Sequence, residues 1–371
     1  MVYFDYNATS PLHPAARAAW LDACENLIGN PSSPHRIGGR AESALAEARQ
    51  KLAKLLDCDP LEILWTSGAS ESSNTVFHNF ARASQSDDDV WISAIEHPAV
   101  LAPANFHFKK KLRFIPVASS GVIDVDWITF LLRKKRPRLL AVMAANNETG
   151  VLQPWQKVAE LCREREIPFF CDAVQWLGKL PAKNLGQCDF VSGSAHKFGG
   201  PKGVGFLKVP SQARINPLIL GGKQQEGRRA GTENVAGVLA MVAALAASEN
   251  ALAQNEHGQR EIWRDEFESK LLKLFPETVI AGAARKRLWN TTLAFLPELE
   301  FRWVVKLDKA GFAVSTGSAC ATGQEEPSHV LSAMGYAPDQ TSRAIRFSSG
   351  WETSESEWTQ LLAAIASIFV R

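Results

Sequence analysis

Residues 190–203 read Phe190-Val191-Ser192-Gly193-Ser194-Ala195-His196-Lys197-Phe198-Gly199-Gly200-Pro201-Lys202-Gly203. The first five side chains are apolar or small, which suits a short buried strand. The strand ends on a hydroxyl, Ser194, followed by His196, Lys197 and a glycine-rich turn. A lysine placed just past a strand, behind small hydroxyl residues and a histidine, can form a Schiff base with an aldehyde cofactor. It can equally be a solvated surface lysine, so the surrounding chain must decide.

Working outward, the same order of strand, polar end and helix recurs. Ile63-Leu64-Trp65-Thr66 is closed by Ser67-Gly68, and Val90 to Ala94 ends before Glu96-His97-Pro98. Leu139 to Ala144 ends at Asn146-Asn147-Glu148, Pro168 to Cys171 ends at Asp172, and Val204 to Val209 follows the glycine-rich turn. Ala41 to Leu56 and Trp155 to Arg165 carry helical periodicity. This alternation predicts βαβ units, hence an α/β fold with a mainly parallel sheet. Ligands of open α/β sheets sit outside the carboxyl ends of the strands. Ser70, His97, Asn147, Asp172 and Lys197 are therefore expected to converge on one crevice.

Composition agrees with a globular chain. Of 371 residues, 46% are hydrophobic and 22% charged, which excludes a disordered chain, a coiled coil and a collagen-like fibre. Lys plus Arg is 41 against 39 for Asp plus Glu, so no charge excess points to nucleic acid or a membrane surface. The six cysteines form no C-x-x-C pair and show no metal-ligand spacing. Cys24, Cys58, Cys162, Cys171 and Cys188 are expected to be buried small hydrophobes. The start, Met1-Val2-Tyr3-Phe4-Asp5-Tyr6, has no basic or apolar leader pattern, so a cytoplasmic protein with reduced thiols is expected. The longest apolar run, Val235 to Ala247, reads as a buried helix, and Glu249 to Lys273 as a charged helical stretch. Beyond it, Thr292 to Phe295, Ala313 to Ser315 and Ala344 to Phe347 are strand candidates.

Two features bear on Lys197. Asp172 lies 25 residues upstream at the end of an apolar strand. A buried carboxylate there needs a cation, and a protonated pyridine nitrogen is one; a helix cap is the other use of such an Asp. Gly68-Ala69-Ser70-Glu71-Ser72-Ser73-Asn74 sits between a strand and a helix. Free N–H groups and a hydroxyl at a helix start bind phosphate, although Ser70 or Ser72 could also serve as an ordinary cap. No G-x-x-x-x-G-K-[ST] motif occurs, and no G-x-G-x-x-G follows the first strand.

The lysine segment Ser194-Ala195-His196-Lys197 with Gly199-Gly200-Pro201-Lys202-Gly203 resembles that of the class V pyridoxal phosphate enzymes, and within them the cysteine desulfurases, in their longer-loop, iron–sulfur-cluster-type group. Further matching pieces span nearly the whole chain. They include Asp5-Tyr6-Asn7-Ala8-Thr9, Thr66-Ser67-Gly68-Ala69-Ser70-Glu71-Ser72, Glu96-His97, Asn146-Asn147-Glu148-Thr149-Gly150 and Asp172-Ala173-Val174-Gln175. Gly29-Asn30-Pro31-Ser32-Ser33, Arg229-Ala230-Gly231-Thr232-Glu233-Asn234-Val235, Ser315-Thr316-Gly317-Ser318-Ala319-Cys320 and Ile345-Arg346-Phe347-Ser348 complete the set.

The resemblance implies an aspartate-aminotransferase-like, fold type I architecture. A large cofactor domain would cover 14–255, and a smaller α+β domain would combine 1–13 with 256–371. It implies pyridoxal 5'-phosphate held covalently by Lys197, with Asp172 at the pyridine nitrogen, Gln175 at the phenolic oxygen and His97 on the ring face. Alone, His97 is equally a core histidine or a turn residue before Pro98. Ala69, Ser70, Ser194 and His196 would hold the phosphate. Thr232 would reach the phosphate of a neighbouring subunit in a homodimer. Asn147, Arg346 and Asn7 would bind the substrate, L-cysteine, Arg346 having the planar fork that suits a carboxylate; a salt bridge at a sheet edge is the other use of this arginine.

Cys320, in a run of small residues, would accept sulfur as a persulfide and pass it to an acceptor such as an iron–sulfur scaffold protein. A thiol with an ordinary pKa needs help to ionise, and His329 is one candidate helper. A selenocysteine lyase or another class V reaction is the alternative. Lys223 in Gly221-Gly222-Lys223-Gln224-Gln225-Glu226 departs from the usual run of glycines.

Overall fold

The computed structural model describes residues 1–83, 88–298, 302–316 and 327–370. Gly317, Ser318, Ala319 and Cys320, all singled out by the sequence, lie outside the described residues.

After β1 (Val2–Tyr3) the chain enters α1 (Pro14–Asn26) and α2 (Arg36–Leu56). The central sheet is then built from β2 (Ile63–Thr66), β3 (Val90–Ser93), β4 (Leu112–Ile115), β5 (Leu139–Ala141), β6 (Phe169–Asp172), β7 (Phe190–Ser194) and β8 (Gly205–Lys208). Their order is β2-β8-β7-β6-β5-β3-β4. Pairings from β7 across to β4 are parallel, while β8 runs antiparallel to both β7 and β2. This is the mainly parallel mixed sheet expected from the alternation.

The sheet is buried on both faces, and side chains alternate between them. Trp65, Trp91, Leu140, Cys171, Val191 and Phe206 enter one core, with Leu45 and Leu52 of α2. Leu64, Ile92, Phe170, Phe190 and Leu207 enter the other, with Phe77 of α3 (Ala69–Arg82) and Val100 of α4 (Pro98–Phe108). Strand β4 was not legible in the sequence. It lies at the end of the sheet and exposes Arg113 and Phe114, so its apolar signal is weak.

Two later elements differ from expectation. The apolar run is a longer helix, Val235–Ala253, whose Val238, Met241 and Leu245 are buried in the core. The charged stretch is not continuous with it. The chain breaks at Gln254-Asn255, with Asn255 in the left-handed region at φ 57°, before a new helix, Glu256–Leu274. Cys24 and Cys58 also correct the sequence reading: Cys24 is exposed and Cys58 half-buried, whereas Cys162, Cys171 and Cys188 are buried as expected.

A further core lies at the far end of the chain. There β9 (Val279–Ile280), β10 (Thr291–Phe295) and β12 (Ala344–Ser348) form an antiparallel sheet in the order β12-β10-β9. Phe4, Phe267, Leu271, Phe347, Trp358 and Leu361 pack together beneath it. The first residues belong to this region. Strand β1 pairs in parallel with β11 (Phe312–Ala313), and Asp5 bridges to Ser348.

Candidate active site

A cavity of about 490 Å³ opens at the carboxyl ends of the parallel strands. It is lined by Ala69, Ser70, His97, Asn147, Asp172, Gln175, Ser194, His196 and Lys197. These residues come from five segments far apart in the chain, at strand ends, helix starts and turns, so the convergence expected from the strand pattern is present. Asn7, Arg346 and Thr232 are not on its wall.

One end of the cavity is built for an anion. Helix α3 starts at Ala69 after Gly68, which makes no side-chain cap bond. Gly68 has φ 151°, and Gly205 of β8 comes so close that an added Cβ would sit 2.7 Å from the Gly68 Cα. Of the two suggested caps, Ser72 turns toward the sheet instead, donating to the Phe206 and Gly68 oxygens. Ser70 is exposed at the cavity mouth. The Glu71 carboxylate accepts from Ser67 N and is held by Arg229 at 2.9 Å. That ion pair ties the loop carrying Thr232, itself exposed, to the start of α3.

At the other end, Asp172 is buried, and burial raises its pKa above the ordinary carboxylate value. Its Oδ1 accepts from Val174 N at 3.0 Å and from Ser192 Oγ at 3.2 Å. It therefore caps a turn rather than an α-helix. His97 caps α4, its Nδ1 accepting from Ala99 N at 3.0 Å. Burial and the nearby Lys197 cation lower its pKa to about 4, so at neutral pH the ring is uncharged with its proton on Nε2. His196 is likewise held neutral, its pKa lowered by burial to about 4, with Nδ1 3.1 Å from Thr9 Oγ1.

Lys197 donates to the main-chain oxygens of Asn7 and Ala8, each at 2.7 Å. Burial and then the Arg346 cation lower its pKa to about 8. A larger share of the amine is then unprotonated and nucleophilic at neutral pH than for an exposed lysine. The Asn7 side chain joins a buried network with Thr291 Oγ1 and Asn290 Nδ2, and its Nδ2 also donates to the main-chain oxygen of Asn147 at 3.2 Å.

These residues fit pyridoxal phosphate. A buried carboxylate suits a pyridinium N–H, an uncapped helix start with hydroxyls suits a phosphate, a neutral imidazole suits a ring face, and an amine of lowered pKa suits an aldehyde.

The Aminotransferase class-V family pattern matches residues 2–361. The chain belongs to this family. It is 38% identical over 375 residues to "Cysteine desulfurase IscS" of Dictyoglomus turgidum, covering 99% of this chain and 94% of the relative. It is 38% identical over 374 residues to a "Cysteine desulfurase" of Cereibacter sphaeroides, covering 99% and 95%. Among solved structures it resembles a "NIFS-LIKE PROTEIN" with TM-score 0.90 and 32% identity, over 100% of this chain and 99% of that one. The fold of this class V chain is thus that of the NifS-like enzymes.

Contacts that sequence reasoning passed over also shape the site. Arg346 is buried and donates to Asp5 Oδ1 at 2.6 Å and to Asn147 O at 3.0 Å. The salt-bridge use of Arg346 is therefore present, and Asp5 is its partner. Glu96 is buried behind His97, with Oε1 accepting from Ser93 Oγ and Met143 N. Near the segment that carries Cys320, Ser328 donates to Glu148 Oε2 and the His329 ring meets Glu96 O at 2.9 Å. The unusual Lys223–Glu226 segment has a structural anchor. The Gln225 carboxamide pairs with both main-chain groups of Trp65 on edge strand β2, at 2.7 and 2.9 Å. No sequence signal marks these contacts, since most of them join residues far apart in the chain.

Proposed function

We propose that this class V enzyme is a pyridoxal phosphate-dependent cysteine desulfurase, converting L-cysteine to L-alanine and placing the sulfur on Cys320. The convergence of Lys197, Asp172, Gln175, His97 and the α3 start around one cavity carries the reading. The relatives named cysteine desulfurase support the substrate.

Lys197 would hold the cofactor, Asp172 would face its ring nitrogen, Gln175 its phenolic oxygen, and His97 its ring face. Ala69 N–H, Ser70, Ser194 and His196 would hold the phosphate. The bound cofactor supplies an electron sink for charge developing at the substrate Cα. Lys197, released when substrate binds, removes the Cα proton. Arg346, with Asn147 and Asn7 beside it, orients the substrate carboxylate.

Cys320 then attacks the substrate sulfur as a thiolate. Its Sγ–S bond forms as the substrate Cβ–S bond breaks, and the electron pair stays with the carbon skeleton, which takes up a proton. The sum is L-cysteine plus the Cys320 thiol giving L-alanine plus a Cys320 persulfide. A thiol or an acceptor protein, such as an iron–sulfur scaffold, takes the outer sulfur.

The same reading gives a cytoplasmic homodimer in which Thr232 reaches the neighbouring phosphate. It also gives a cofactor-binding domain of 14–255 and a smaller domain of 1–13 with 256–371.

The test is product release from L-cysteine with added thiol. Equal alanine and sulfide from the wild type, lost in Cys320→Ala, supports the assignment. Alanine release independent of Cys320 would move the reading to direct lyase chemistry.

A further inference from the structure

We propose that Lys179 is a positioning residue, fixing the Gln175 carboxamide so that Gln175 offers an N–H rather than a carbonyl to the cofactor. The proposal rests on reading the cavity as a pyridoxal phosphate site. It concerns a residue that is not on that cavity wall but directly behind it.

The orientation of Gln175 is determined from both ends. Gln175 Nε2 lies 2.9 Å from the main-chain oxygen of Asn7, which can only accept. The atom facing Asn7 is therefore the nitrogen. Its Oε1 then faces Lys179, whose Nζ donates to it at 2.6 Å. A carboxamide nitrogen carries two hydrogens. One is used by Asn7, which leaves the second for the cavity that Gln175 lines. A flipped amide would set two acceptors, Oε1 and Asn7 O, against each other and leave the lysine without its side-chain acceptor.

The local chain delivers Lys179 to this place. Gly178 has φ 74°, and an added Cβ would lie 2.3 Å from the Phe198 Cβ, so only glycine fits there. The turn it makes brings Lys179 under Gln175, and Trp289 Nε1 holds the Lys179 oxygen at 3.0 Å.

An amine is costly at this position. Lys179 is buried, and burial together with the Lys197 and Arg346 cations pushes its pKa well below the ordinary lysine value. Among the described residues no carboxylate pairs with it. Packing alone would be served by an apolar side chain of similar length. Donation to Gln175 is what the amine adds.

A second cavity of about 380 Å³ lies on the far side, with Lys179 and Lys197 both on its wall. The titratable and charged groups around the pair on the cofactor side are Lys197, Arg346, Asp172, Glu71, Lys202 and the neutral imidazoles of His97 and His196. On the far side they are His13, His257, Arg260 and Glu256.

The experiment is a pH titration of the visible absorbance of the cofactor-loaded protein, read without turnover. Loss of the donor leaves the phenolic oxygen more basic, so Lys179→Met should raise the midpoint by about half to one pH unit, the size of one hydrogen bond. Gln175→Leu should shift it similarly, and the double variant no further than Gln175→Leu alone, because Lys179 acts through Gln175. Lys179→Arg, which keeps a donor, should stay near the wild type. If Lys179→Met does not fold, Lys179→Arg decides: a wild-type midpoint supports the proposal, and the Gln175→Leu shift overturns it. An unmoved midpoint in Lys179→Met, or additive shifts in the double variant, also overturns it. A wild type that takes up no cofactor would instead overturn the reading of the cavity.

Discussion

Arg346 and Asp5 form an ion pair, Nη2 to Oδ1 at 2.6 Å, joining strand β12 near the end of the chain to its first residues. The other arm of the guanidinium donates to the Asn147 oxygen. A substrate carboxylate must therefore share or displace Asp5.

Two variants separate these roles. Arg346→Gln should raise KM for L-cysteine by about tenfold or more, with a smaller effect on kcat, as expected for a group that binds the substrate carboxylate. Asp5→Asn should lower KM, because it removes an internal competitor. Steady-state kinetics with L-cysteine checks both, and a KM in Asp5→Asn above the wild type would contradict the competition.

The lowered pKa of Lys197 gives a second prediction. Its amine loses its proton around pH 8 rather than near the ordinary lysine value. The rate at which the cofactor-free protein captures pyridoxal phosphate should therefore rise through about pH 8 and level off above it. Stopped-flow absorbance gives the profile, and a rate still climbing past about pH 10, the range of an ordinary lysine, would contradict the burial argument.

Glu96 gives a third. Burial raises its pKa to about 8 in the folded chain. A carboxyl group raised in this way favours folding below its unfolded pKa and loses that stabilisation as pH rises through 8. At ~1.4 kcal/mol per unit the loss amounts to a few kcal/mol. Glu96→Gln should flatten this part of the stability curve, because the amide stays neutral and can still accept from Ser93 and Met143. Urea unfolding from pH 5 to pH 8 measures it, and parallel curves for the two proteins would refute the assignment.

The Gln225 anchor gives a fourth. Gln225→Ala leaves the main-chain N–H and oxygen of Trp65 on edge strand β2 without their partner. At about 1–3 kcal/mol for each unsatisfied buried group, Tm should fall by several degrees. Thermal unfolding checks this, and an unchanged Tm would mean that water replaces the carboxamide.

The strands that position the site were legible because their burial on both faces leaves short apolar runs. Ile63–Thr66 and Phe190–Ser194 fall where the sequence places them. The polar residue after each run marked its place in the cavity. What escaped the sequence depends on contacts between distant segments. The break at Asn255 lies between two stretches of good helix formers, so periodicity runs through it. Asp5 and Gln225 lie in segments that the sequence marks, but nothing there shows their partners Arg346 and Trp65; Lys179 is ordinary in its local sequence and acquires its contact only through Gln175. Cysteine is usually buried, which on sequence alone places Cys24 in the core, but it lies on the exposed side of α1.

The most direct test of the central claim is a single turnover of the cofactor-loaded protein with L-cysteine and no added thiol. Mass spectrometry of the Cys320 peptide and alanine quantification report the two halves of the reaction. The expected result is one alanine for each gain of one sulfur atom on Cys320, both lost in Lys197→Ala. Alanine formed while Cys320 stays unmodified, or sulfur found on another cysteine instead, would contradict it.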